Sequence, residues 1–121
     1  MNAVELSLRA RQMPPLHVHT KDEELCVLEG RLRVFAGGRQ VELRVGESWV
    51  APAGVPHTYR ADSPRVRVVA ATSVRAAGSY EAFLRAVAEP SQLTAEDEAT
   101  LAVLGGPAGI RVLGAPGELP G

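Results

Sequence analysis

The stretch His17-Val18-His19-Thr20-Lys21-Asp22-Glu23-Glu24-Leu25-Cys26-Val27-Leu28-Glu29-Gly30 decides how this chain is to be read. On an extended strand alternate side chains share a face, so His17 and His19 point the same way, with their roots ~6–7 Å apart. That separation suits two imidazoles converging on one ion. Pro14-Pro15 stiffens the entry to this segment and cannot sit within a central strand. If residues 20–22 make a turn, Glu23 projects into the same cavity from the neighbouring strand. Glu24 competes with it, and parity favours Glu23. In that register Leu25 and Val27 face inward while Cys26 and Leu28 face outward. Both faces of the strand are then apolar, and the outer one has to be covered by helices expected near the C-terminus or by a partner subunit.

Working outward, residues from about 4 to 74 read as strands. The apolar runs Leu25 to Leu28, Leu32 to Phe35, Val41 to Val45 and Val66 to Ala71 are short, rich in Val and Leu, and divided by Gly, Pro and Asp. Gly37-Gly38 lies where a two-residue hairpin needs positive φ. Many short strands with little helix between them predict an antiparallel sandwich or barrel. The last third differs. Tyr80, Phe83, Leu84 and Val87 share one face of a helix starting near Ser79, which Glu89-Pro90 breaks. Thr94-Ala95-Glu96-Asp97 resembles a capping box opening a second short helix towards Leu104. Ile110 to Leu113 reads as one more short strand, and the closing APGELPG as a draped tail. The expectation is one domain over 1–121, with a barrel core at about 4–74 and a C-terminal helical extension at about 79–121.

The third and last histidine, His57, follows Pro52-Ala53-Gly54-Val55-Pro56, a bend rigid enough to fix where an imidazole points. Tyr59 shares its parity and is expected to line the same cavity. Three imidazoles and a carboxylate make a borderline-hard donor set suited to Zn, Mn, Fe, Ni or Co and not to Ca or Mg.

Composition narrows the function classes. A formal net charge of −1 gives no long-range attraction to nucleic acid or an anionic membrane, and 4% aromatic residues leave little for base stacking. Cys26 is the only cysteine, so an internal disulfide and a thiolate zinc cluster are excluded. No apolar run reaches the roughly 20 residues of a membrane span, and the first residues lack a secretory pattern. A cytoplasmic protein is expected.

Taken together, His17-x-His19, Glu23 and Gly30, then Gly46, Pro52-x-Gly54 and His57, resemble the two motifs of the cupin superfamily, in the manner of small quercetin-dioxygenase-like members. The usual opening Gly of the first motif is replaced by Arg11, and the usual Asn after the last histidine by Ala61; neither position is a metal ligand. The resemblance covers residues 11–74 and extends more weakly to the C-terminal segment. It implies an all-β, antiparallel double-stranded β-helix (jelly-roll) barrel with short C-terminal helices. It also implies one divalent transition metal per chain (Fe, Mn, Ni or Zn) held by His17, His19, Glu23 and His57.

Four protein ligands leave one or two coordination positions for water, oxygen or substrate, an open arrangement. Leu25, Val27, Val34 and Val68 are expected to line an apolar cavity for a small organic substrate. The expected activity is a dioxygenase-type oxidoreductase in which Glu23 assists deprotonation and Tyr59 contacts substrate, with Trp49 a weaker candidate. A metal-dependent isomerase or cyclase and a non-catalytic small-molecule binder remain open. Exposed sheet edges and the two-sided apolar strand point to a homodimer.

Overall fold

Alternation of apolar and polar residues builds two facing antiparallel sheets, described in a computed structural model over residues 2–72 and 110–120. The strands are β1 (Asn2–Arg9), β2 (Pro15–His19), β3 (Glu23–Glu29), β4 (Leu32–Ala36), β5 (Arg39–Leu43), β6 (Ser48–Ala51), β7 (His57–Ala61), β8 (Arg65–Thr72) and β9 (Ile110–Pro116). One sheet has the order β1-β8-β3-β6, the other β5-β4-β7-β2-β9. Every described residue in regular structure is in a strand. The two C-terminal helices expected near Ser79 and Thr94 fall outside the described residues.

Period two is clearest in β1, where Val4, Leu6 and Leu8 are buried while Glu5, Ser7 and Arg9 are exposed. Its partner β8 buries Val66, Val68 and Ala70 on the same inner face. Leu25 and Val27 of β3 continue that face and meet Leu32, Val34, Tyr59 and Ala61 from the opposing sheet. Each such large apolar side chain contributes about 1.5–3 kcal/mol through removal from water.

Turn chemistry agrees with the sequence at Gly37 and Gly38, whose φ values of 55° and 77° let Ala36 pair with Arg39 across a two-residue hairpin. Gly30 has φ 80°, and a Cβ there would run into the carbonyl oxygen of Arg65, so no side chain fits. The strand expected over Val41 to Val45 instead ends at Leu43. Arg44 and Glu47 close a turn there, the Glu47 amide donating to the Arg44 carbonyl and the Arg44 amide to Glu47 Oε1, which leaves Val45 exposed.

The segment from Ile110 pairs with β2 as a full strand, and it continues through Ala115 and Pro116, which had been assigned to the tail. Pro15, expected to keep out of a central strand, opens β2 between β7 and β9. It is tolerated because it is the first residue of the strand and faces a register shift on the β9 side, where no regular ladder bond is lost.

Candidate metal centre

His17 and His19 stand on the inner face of β2, two residues apart, as period two requires. His57 opens β7 and is the cross-strand partner of His17. These imidazoles belong to the five-stranded sheet. Glu23 begins β3 in the other sheet, between Ala51 of β6 and Thr72 of β8, and reaches across the sandwich. The turn before it is tied down: the Thr72 hydroxyl donates to the Asp22 carbonyl at 2.9 Å, and the Ala53 amide donates to Asp22 Oδ1 at 2.7 Å. Gly54, with φ 80°, donates its amide to the His19 carbonyl, so the bend before His57 is fastened to the end of β2.

All four side chains are buried, none more than 2% exposed. One ligand atom from each can be chosen so that all lie within 4.8 Å of one another. The ring centroids of His17, His19 and His57 are 4.5–5.0 Å apart. Glu23 Oε1 lies 3.3 Å from Nε2 of both His19 and His57.

The outer nitrogens fix the tautomers. His17 Nδ1 is 2.7 Å from the Pro15 carbonyl and His57 Nδ1 is 3.0 Å from the Val55 carbonyl. A carbonyl only accepts, so each Nδ1 carries a hydrogen and each Nε2 is left to face the centre. Both contacts reach back two residues, one in Pro-Leu-His and one in Val-Pro-His. Ring nitrogens and a carboxylate oxygen gathered at one buried point are the donor set a divalent transition metal takes, which is the fit expected of a metal centre.

Electrostatics favour the metal-binding forms of His17 and Glu23. Burial, then the proximity of His57 and His19, pushes His17 down to about 3, so it is neutral at physiological pH. Burial alone would raise Glu23, but its contacts with His19 and His57 outweigh that and hold it well below the usual carboxylate range. A neutral imidazole beside an ionised carboxylate is the ligand state that a divalent metal takes without first displacing protons. These four buried residues could hold one metal ion.

Tyr59 is wholly buried as well, and burial followed by the charge of Glu23 pushes its phenol upward. Its hydroxyl has no hydrogen-bond partner among the described residues. Trp49 is half-buried, its ring meeting His57 edge-on at 6.4 Å. Beside it lies a cavity of about 310 Å³ lined mainly by Val34, Trp49, Val50, Pro52 and Val55, with Arg39 at its rim. Of the four apolar residues expected to line a substrate cavity, Val34 lines this one. Leu25, Val27 and Val68 are instead sealed in the core between the sheets. The Pro15 and Val55 carbonyls had not been anticipated; the shared proline-containing pattern before His17 and His57 was the available signal.

Comparison with known proteins agrees with this architecture. Over 59 residues, 48% of this chain, it is 42% identical to quercetin 2,3-dioxygenase of Bacillus subtilis (strain 168), of which the match spans 18%. The structure of KdgF from Halomonas sp. superposes with a TM-score of 0.54 at 26% identity, covering 56% of this chain and 63% of that one. The polyketide cyclase RemF from Streptomyces resistomycificus gives 0.53 at 26% identity, covering 58% and 51%. Each match takes in less than two thirds of the relative. The Cupin domain family model matches residues 4–72, a span that carries all four site residues, and the chain belongs to the cupin family.

Proposed function

We propose that this protein is a metal-dependent oxidoreductase of the dioxygenase type acting on a small, largely apolar organic substrate. One observation carries the reading: three buried imidazoles and one carboxylate converge, and the His57 ring meets Trp49, which lines an apolar cavity of about 310 Å³. His17, His19, Glu23 and His57 would hold the ion. When bound, a redox-active divalent metal supplies electron transfer between an organic substrate and dioxygen, together with Lewis acidity.

The chain's own residues supply the rest. Val34 and Trp49 receive the apolar part of the substrate and exclude water from the reacting end. A carboxylate oxygen of Glu23 accepts the proton of a substrate hydroxyl or enol. The Tyr59 hydroxyl, kept protonated by burial and by the nearby carboxylate, donates a hydrogen bond to a substrate oxygen. The same reading takes the chain as a single domain, working as a cytoplasmic homodimer.

A non-redox cyclase or isomerase using the same residues is the second reading, supported by the 26% identity to the polyketide cyclase RemF. Elemental analysis of the purified protein, beside a His17→Ala, His57→Ala double variant, tests both. About one metal per chain, lost in the variant, is expected. Fe, Mn or Ni with oxygen uptake on hydroxylated aromatic or dicarbonyl substrates supports the dioxygenase. Zn without uptake supports the cyclase. No metal, and none taken up on addition, leaves a small-molecule binder without turnover.

A further inference from the structure

A second constellation lies at the other end of β7 from the metal centre. His57 opens that strand and Ala61 ends it, four residues or ~13 Å away. Around this far end the β1–β2 loop, the β3–β4 turn, β4, β5 and the β7–β8 corner enclose a cleft of about 510 Å³. Arg11, Arg31, Arg33 and Arg60 line it, against the carboxylates of Glu42 and Asp62. A chain of formal net charge −1 therefore concentrates an excess of positive charge in one concave place.

The guanidinium groups are held there. Arg33 and Arg60 are direct cross-strand partners, an arrangement of like charges that is destabilising in isolation. Asp62 bridges them, its Oδ2 accepting from Arg33 Nε at 2.9 Å and its Oδ1 from Arg60 Nε at 2.6 Å. Arg60 Nη2 adds a contact to Oδ2 at 3.2 Å, and its guanidinium lies 5.4 Å from the centre of the Phe35 ring. One carboxylate thus engages both arginines largely through Nε and fixes their planes. Arg31 is held more loosely, 3.8 Å from Glu42 Oε1.

Arg11 supplies an independent observation. Its φ is 67°, which makes it the one non-glycine residue in the left-handed region among the described residues. That conformation costs an ordinary side chain relative to glycine. The backbone there is set by the Arg11 amide, which donates to the Ala61 carbonyl at 2.7 Å. A glycine would meet that need without strain, yet an arginine occupies the position and adds its charge to the cleft. Strain retained at a concave charged surface points to use of the side chain.

We propose that this cleft is a binding site for a multiply charged phosphate group, as in a phosphate monoester or a polyphosphate. Four guanidinium forks from different directions match the tetrahedral arrangement of phosphate oxygens, and the forks of Arg33 and Arg60 are already oriented. The site is independent of the metal centre and of whatever reaction occurs there.

Inorganic pyrophosphate is the probe, titrated calorimetrically into the purified protein, with amide shifts mapped by NMR. Saturable binding is expected, weakening as salt is added. Shifts should centre on residues 10–11, 31 and 60–63. Arg33→Gln should weaken binding about tenfold or more. Arg11→Gly should also weaken it while raising the melting temperature, because the strain disappears with the charge; this variant separates binding from folding. Absence of saturable binding would overturn the proposal. So would shifts centred on residues 17–23 and 57, unchanged affinity in Arg11→Gly, or citrate binding as tightly as pyrophosphate.

Discussion

Tyr59 buries its entire side chain and carries its hydroxyl into the interior without a hydrogen-bond partner among the described residues. A buried donor left in that state costs stability, on the order of 1–3 kcal/mol, and the proposed hydrogen bond to a substrate oxygen would satisfy it. Tyr59→Phe is therefore expected to leave the melting temperature unchanged or raise it, while lowering turnover roughly tenfold to a hundredfold. A fall in melting temperature with turnover intact would assign the hydroxyl a structural role instead. The position of Tyr59 was legible from parity with His57, and the four converging residues were legible from spacing, because a strand's period of two is rigid. The left-handed turn at Arg11 was not legible. It is imposed by a hydrogen bond to Ala61, fifty residues away in the chain, and arginine carries no propensity that announces it.

At the scale of elements, the junction of β4 and β7 depends on one corner residue. Asp62, following β7, sits between two cross-strand arginines, and its hydrogen bonds to Arg60 and then Arg33 hold its carboxyl below the usual value of 3.8. A depressed carboxyl contributes stability that is present above the unfolded value and is lost as pH falls through the folded one. Asp62→Asn should therefore unfold at lower urea than the wild type at pH 7, with the gap narrowing below about pH 4 as the wild-type carboxylate protonates. Urea midpoints measured at pH 7, 4 and 2 check this; a gap independent of pH would reject it. Strand existence was legible from alternating Val and Leu, whereas strand ends were not. Val45 continues the apolar run of β5, yet side-chain capping by Glu47 turns the backbone two residues earlier. The pairing of β9 with β2 is likewise a long-range choice that local pattern leaves open.

For the whole molecule, an ion bound to the folded chain and not to the unfolded one stabilises it by mass action. Chelation is expected to lower the melting temperature of the wild type by several degrees and to leave a His17→Ala, His57→Ala variant unmoved. Equal shifts in both proteins would place the effect elsewhere. The outer face of the four-stranded sheet exposes Leu28 and Val50 beside half-buried Cys26, and β1 and β6 are its edges. Sedimentation at micromolar concentration should show a homodimer if a second copy covers that face, and a monomer would remove the dimer from the reading. The two-sided apolar character of β3 was visible in the sequence; what lies over its outer side was not, because period two reports which residues seek cover and not which surface provides it.

The division of the centre between two sheets gives the molecule a built-in strain gauge. Three donors ride on one sheet and one on the other, so any wedge that parts the sandwich by a fraction of an ångström lengthens the carboxylate's reach while the imidazoles keep their mutual spacing. Spectra of a bound ion would therefore register breathing of the barrel as the loss of an oxygen donor from an intact trio of nitrogens, well before the protein unfolds.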